Sequence, residues 1–153
     1  MTLGVGSVAP DFKLPVNETE TVSLNALQGK HVVLYFYPKD DTPGCTREAC
    51  DFRDAFQAFE SKNVVIVGVS PDGVASHATF KTKYDLPFIL AADETKDVCQ
   101  AYGVWKEKNM YGKKVMGVER TTFLIDPEGT ISHIWPKVKV EGHVDAILQA
   151  LKA

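Results

Sequence analysis

The sequence predicts an α/β fold, a mixed β-sheet flanked by helices, on three observations. Strand-like and helix-like segments alternate along the chain. The two most apolar runs, around Val32–Tyr37 and Val64–Val69, are short, β-branched and aromatic, and a Pro-Glu-Gly turn joins two further strand-like runs near the C-terminal end. Apolar runs of this length with little polar interruption are expected of central strands buried on both faces.

The elements follow in order. His31–Tyr37 and Val64–Ser70 read as strands. Between them Thr42-Pro43 opens a helix, because Thr as N-cap offers an oxygen to a backbone N–H and Pro at the first helical position leaves no donor orphaned. Cys45, Ala49, Phe52, Phe56 and Phe59 then recur at spacings of four and three, which is one face of a single helix. Strand, helix and strand make a crossover unit that should be right-handed. Ser76–Tyr84 reads as a helix, Phe88–Ala92 as a strand and Glu94–Tyr102 as a helix. Arg120–Asp126 and Thr130–Trp135 should form an antiparallel hairpin, since Asp126-Pro127-Glu128-Gly129 has Pro and Gly at the second and fourth places of a tight turn. Val144–Leu151 ends the pattern as an amphipathic helix. The outline is a thioredoxin-like fold, expected as one domain over residues 1–153, with a mixed central sheet and helices on both faces.

Composition narrows the function. The 153 residues are 44% hydrophobic, enough for one substantial core. Seventeen basic residues against twenty acidic ones give a net charge of -3, without the concentrated positive field that nucleic acid selects. Met1-Thr2-Leu3-Gly4-Val5-Gly6 lacks the basic start and long apolar stretch of a secretory leader, and no apolar run could span a bilayer. The expectation is a cytoplasmic protein with no membrane and no nucleic-acid partner. Gly4-Val5-Gly6-Ser7-Val8-Ala9 fits a dinucleotide fingerprint literally, yet no strand precedes it. His31, His77, His133 and His143 are scattered, without a Cys-x-x-Cys or His-x-x-x-His spacing, so a structural zinc site is not expected and they read as ordinary surface or packing residues.

Three cysteines in a chain this long suit thiol chemistry in a reducing compartment. Cys45, third residue of its helix, sits where free N–H groups and the positive dipole end favour an anion. Thr42 would place its hydroxyl near the Cys45 backbone and sulfur. Cys50 follows five places later, which on a regular helix turns it about 140° away and raises it about 7.5 Å. A disulfide needs Cα atoms within about 7 Å and converging side chains, so the helix would have to unwind locally. Cys50 also falls on the polar face with Arg53, Asp54 and Gln57, an uncommon place for an inert thiol. A thiolate nucleophile needs hydrogen-bond donors for the charge that its reaction develops, and an arginine supplies such donors in a fixed fork.

The stretch from Asp40 to Asp54, Asp-Asp-Thr-Pro-Gly-Cys-Thr-Arg-Glu-Ala-Cys-Asp-Phe-Arg-Asp, preceded by Pro38, closely resembles the active-site segment of the peroxiredoxins. It is most similar to the bacterioferritin-comigratory-protein, or peroxiredoxin Q, subfamily. The similarity extends from Gly6-Ser7-Val8-Ala9-Pro10-Asp11-Phe12 through Tyr102-Gly103-Val104-Trp105 to Arg120-Thr121-Thr122-Phe123-Leu124-Ile125-Asp126. The resemblance implies Cys45 as peroxidatic nucleophile, Thr42 as hydrogen-bond partner of the peroxide, Pro38 as a shield of the sulfur and Arg120 as the distant guanidinium. It further implies Glu48 as the acid that steadies Arg120, and Cys50 as the resolving cysteine of an intramolecular disulfide. It implies a hydroperoxide substrate, no cofactor, recycling by thioredoxin or a similar dithiol, and a monomer. Cys99 has no counterpart in that scheme and reads as a structural thiol. The rivals are a disulfide oxidoreductase on the same fold, whose cysteines usually lie one turn apart, and a redox-sensing or chaperone-like binding protein, which would oxidise once rather than turn over.

Overall fold

A computed structural model describes residues 3–152, so the leader reading at Met1 and Thr2 lies outside the described residues. The chain opens with an antiparallel hairpin, β1 (Lys13–Pro15) and β2 (Thr21–Ser23), and a 3-10 turn at Asn25–Leu27. β3 (His31–Phe36), α1 (Pro43–Asp54), α2 (Phe56–Glu60) and β4 (Val64–Ser70) make the first crossover. α3 (Val74–Lys83), β5 (Ile89–Ala92) and α4 (Asp97–Ala101) follow. A second hairpin, β6 (Trp105–Met110) with β7 (Lys113–Val118), precedes β8 (Thr121–Ile125), β9 (Ile131–Trp135) and α5 (His143–Lys152).

The central sheet has the order β5-β4-β3-β8-β9, with β3–β4 and β4–β5 parallel and β3–β8 and β8–β9 antiparallel. It is the mixed sheet that the alternation predicts. Side chains of β3 alternate between two cores, as the period of two requires. Val33, Tyr35 and Tyr37 meet Ala49 and Phe52 of α1, Phe80 of α3 and Ile147 of α5. Val32, Leu34 and Phe36 face the other way, among Leu14 and Val22 of the first hairpin and Val98 and Cys99 of α4. A slip of one residue in β3 would exchange the two sets, which fixes its register.

Three local expectations are corrected. The single helix from Thr42 to Phe59 is broken at Ala55 (φ −99°, ψ 5°) into α1 and α2. On a straight helix Phe52 and Phe59 would lie about 10.5 Å apart along the axis, whereas with the break both enter one cluster with ring centroids 5.9 Å apart. The helix expected from Ser76 starts two residues earlier, at Val74. The helix expected from Glu94 is α4 alone, because Lys96 adopts a left-handed φ of 65° and the Asp93 carboxylate instead caps the helix by accepting the Val98 and Cys99 N–H groups.

The antiparallel register sets the position of the site. Phe36 of β3 lies opposite Thr121 of β8, so Arg120 arrives at the sheet edge where β3 ends and the chain turns into α1.

Candidate active site

Cys45 sits in the first turn of α1, its residue only 1% exposed. Thr42 occupies the N-cap with extended backbone, and its carbonyl accepts the Thr46 N–H at 2.8 Å. Its hydroxyl makes no cap bond, contrary to expectation, and donates to the Lys39 carbonyl at 2.9 Å. That bond closes the turn ahead of the helix and leaves the oxygen's lone pairs available. Pro38 is half-buried and follows directly on Tyr37 at the end of β3.

Arg120 bridges two helical residues that the sequence separates from it widely. Its Nη2 donates to Cys45 Sγ at 3.3 Å and its Nη1 to Glu48 Oε1 at 2.7 Å. Cys45 and Glu48, three residues apart on α1, present neighbouring side chains to one guanidinium fork. Burial works against the charge on Arg120, but Glu48 and Cys45 outweigh it and raise its pKa. Glu48 is fully buried, and its Oε2 has no hydrogen-bond partner among the described residues. Burial pushes its carboxyl up to about 7 while Arg120 pulls the other way. Close approach of helix and guanidinium depends on Gly44, where a Cβ would stand 3.1 Å from Arg120 Nη2.

Tyr35 and Phe52, stacked at 4.7 Å, are buried in the same cluster as the sulfur. On the β6 side, Lys108 is half-buried, and burial followed by the Arg120 charge lowers its pKa. His143, at the start of α5, hydrogen-bonds through Nε2 to Thr122 Oγ1 at 2.8 Å, and burial and Arg120 push it down to about 4.

Cys50 is half-buried in the same unbroken helix as Cys45, and none of the three cysteines is in a disulfide. Burial raises the Cys50 thiol, opposed by Arg53, whose Nη1 donates to the Tyr84 carbonyl at 2.9 Å. Cys99 is fully buried on the opposite side of the sheet, its pKa raised by burial and by Asp93. The structure therefore brings Cys45, Glu48 and Arg120 into direct contact, places Thr42 in the adjoining turn, and leaves Cys50 on the intact helix. Sequence reasoning gave no role to Asp40 or Lys108, and weighed His77 and His143 only as metal ligands.

A buried thiol at a helix N-terminus with a guanidinium aimed at the sulfur is equipped to form a thiolate and to hold an oxygen beside it. A family model described as AhpC/TSA matches residues 5–134. The chain belongs to the AhpC/TSA family. Among this peroxiredoxin's relatives, the putative peroxiredoxin Bcp of Coxiella burnetii is 56% identical over 99% of this chain and 100% of that one. Peroxiredoxin Bcp of Bacillus subtilis is 52% identical over 99% of this chain and 97% of that one. The solved structure of Xanthomonas campestris bacterioferritin comigratory protein superposes with a TM-score of 0.92 at 45% identity, covering 99% and 96% of the two chains. A Xylella fastidiosa PrxQ variant gives 0.93 at 37% identity, covering 99% and 97%. Peroxiredoxins are thiol peroxidases, and this chain is an enzyme of that class, with a peroxide substrate and a thiol reductant. Among the described residues no helix is long and apolar enough to cross a membrane, and no group of three or more His, Cys, Asp or Glu could hold a metal ion.

Proposed function

We propose that Cys45 attacks hydrogen peroxide or an organic hydroperoxide as a thiolate, that Cys50 resolves the product, and that thioredoxin or a similar dithiol restores both thiols. The Cys45 sulfur attacks and bonds to the terminal peroxide oxygen, becoming sulfenic acid as the O–O bond breaks, and the other oxygen leaves with the electron pair and takes a proton to give water or alcohol. The Cys50 thiol then condenses with the sulfenic acid, releasing water and forming the disulfide. A dithiol reduces that disulfide by exchange and is itself oxidised.

The single observation that carries this reading is the Arg120 fork, with one nitrogen on Cys45 Sγ and the other held by Glu48. A guanidinium so fixed stabilises the thiolate before reaction and the charge on the departing oxygen during it. Thr42, whose hydroxyl already donates to Lys39, would accept the peroxide's O–H and orient it, and Pro38 would shield the sulfur from bulk water. Support for an alkyl hydroperoxide comes from the Xanthomonas campestris neighbour, which is described by its alkyl peroxide reduction activity. Because the disulfide closes within one chain, the catalytic unit is a monomer in a reducing cytoplasm.

The test is stoichiometric peroxide added to reduced protein, with products mapped by mass spectrometry. The expected product is a Cys45–Cys50 disulfide with Cys99 left as a thiol. Cys45→Ser should abolish peroxide consumption, and Cys50→Ser should give one turnover followed by sulfenic and higher oxidation at Cys45. A Cys45→Ser protein that consumed peroxide at the normal rate would end the proposal. Continuous consumption with thioredoxin present separates a peroxidase from a sensor that oxidises once.

A further inference from the structure

The turn that leads into the Cys45 helix is held from outside that helix. Lys39 and Asp41 are exposed, but Asp40 between them points inward, its side chain only 4% exposed. Its Oδ1 accepts the Tyr37 hydroxyl at 2.6 Å, and its Oδ2 takes the Ser76 hydroxyl at 2.7 Å and His77 Nδ1 at 2.7 Å. The Asp40 N–H donates to Asp72 Oδ2 at 2.6 Å. The other ring nitrogen of His77 stands 3.0 Å from the Ala91 carbonyl on β5. With an acceptor at each nitrogen, the ring satisfies both only when both carry hydrogens. His77 thus ties the turn to the central sheet through a hydrogen-bonded pair that is almost wholly buried.

Burial makes such a pair a weak stabiliser, because taking a carboxylate and an imidazole out of water offsets most of their attraction, and an apolar replacement of equal volume is often no less stable. What a saturated carboxylate does supply is a fixed direction. Two residues beyond Asp40, Thr42 closes the turn on Lys39, and five residues beyond lies Cys45. A displacement of about 1 Å at reacting groups can cost on the order of 100-fold in rate.

We propose that the buried Asp40–His77 pair is a positioning element of the peroxidase, holding the Pro38–Thr42 turn in the geometry that reacts with peroxide. The inference rests on the reading that Cys45 is the peroxide-reactive thiol. The pair touches neither the sulfur nor Arg120 and acts through the backbone of the turn. Asp41 adds a second tie from the same helix, its carboxylate accepting from Lys83 Nζ and the Tyr84 hydroxyl, each at 2.7 Å. Because α3 and the sheet carry these bonds, the turn keeps its shape while α1 unwinds for Cys50.

The test compares two rates in each protein: oxidation of Cys45 by hydrogen peroxide in a stopped-flow instrument, and alkylation of Cys45 by iodoacetamide followed by peptide mass mapping. Alkylation needs a reactive thiol but no peroxide geometry. His77→Asn should slow oxidation about tenfold or more, equivalent to about 1.4 kcal/mol of barrier, with alkylation within about twofold of wild type. Ser76→Ala, at an exposed helix position that removes one donor from Asp40 Oδ2, should slow oxidation about threefold, about 0.7 kcal/mol. Ser76→Thr, which keeps the hydroxyl, should restore the rate. Wild-type oxidation rates in His77→Asn and Ser76→Ala, or oxidation and alkylation falling in parallel, would overturn the positioning role while leaving the peroxidase reading intact. Should His77→Asn not fold, the two Ser76 variants decide. Wild-type protein that peroxide fails to oxidise would overturn the peroxidase reading itself.

Discussion

Gly44 owes its place to what stands beyond its missing Cβ, since a methyl there would lie 3.1 Å from Arg120 Nη2. Arg120 has little room to retreat. Its Nη1 is held by Glu48 at 2.7 Å and its carbonyl accepts the Val138 N–H at 2.9 Å. Gly44→Ala should therefore shift the guanidinium off the sulfur and slow Cys45 oxidation about tenfold. Stability should stay within about 1 kcal/mol of wild type, because alanine is the better helix former and offsets part of the contact strain. Stopped-flow oxidation and thermal unfolding of the same preparation check both halves, and an unchanged oxidation rate would show that Arg120 has slack. Legibility at this scale follows contiguity. Thr42, Cys45 and Cys50 lie within one short segment and could be named from helix position and spacing, while Pro38 and Glu48 in the same segment were named by resemblance. Arg120 is 75 positions from Cys45, and only resemblance singled it out, because spacing carries no information about a contact made across two strands. Asp40 and His77 stayed hidden for the same reason: an acid in a polar turn looks solvated until its partners from α3 are seen.

The elements that the sequence revealed are those whose hydrophobic period is clean. β3, β4 and β8 are almost continuously buried, and α1 repeats its apolar residues at helical spacing. The hairpin of β6 and β7 escaped notice because the first four residues of β7 are all exposed, so no alternation marks it. Its one local signal was Tyr111-Gly112, where both residues have positive φ, 54° and 79°, as a two-residue hairpin turn requires. The break at Ala55 escaped for the opposite reason, since Phe56 and Phe59 continue the helical spacing across it. That break matters to the chemistry proposed for α1. Only the twelve residues from Pro43 to Asp54 form the helix that must open, and its C-terminal end is held by Arg53 on the Tyr84 carbonyl. Converting the protein to the Cys45–Cys50 disulfide should strip amide-exchange protection from Thr46 through Cys50 by at least about tenfold while β3 and α3 keep theirs. Equal protection in the reduced and disulfide forms would mean that the sulfurs meet without unwinding.

Across the whole molecule, two buried groups that both feel the Arg120 charge carry opposite pH signatures. Glu48, on α1, has its carboxyl raised from 4.5 to about 7, first by burial and against the pull of Arg120. Between these values the folded protein holds a proton that the unfolded chain has lost. Its stabilising contribution is therefore complete below 4.5 and is lost as pH rises through about 7. His143, on α5, is lowered from 6.5 to about 4 by burial and by Arg120. There the unfolded chain holds the proton and the fold does not, so stability is lost as pH falls from 6.5 toward 4. Each group contributes a slope of at most about 1.4 kcal/mol per pH unit, with opposite sign, over the shared window. Wild-type stability should therefore vary little between pH 4.5 and 6.5 on account of this pair. Glu48→Gln leaves the His143 slope uncompensated, so its stability should rise with pH across the window. His143→Gln should do the reverse, its stability falling as pH rises. Urea denaturation of the three proteins at several pH values reads these slopes directly, and every other titrating group is common to all three. A His143→Gln protein whose stability stayed flat from pH 4.5 to 6.5, with wild type running parallel to Glu48→Gln, would show that Arg120 keeps Glu48 ionised throughout, in which case the Glu48 charge beside the Cys45 site is constant across that window.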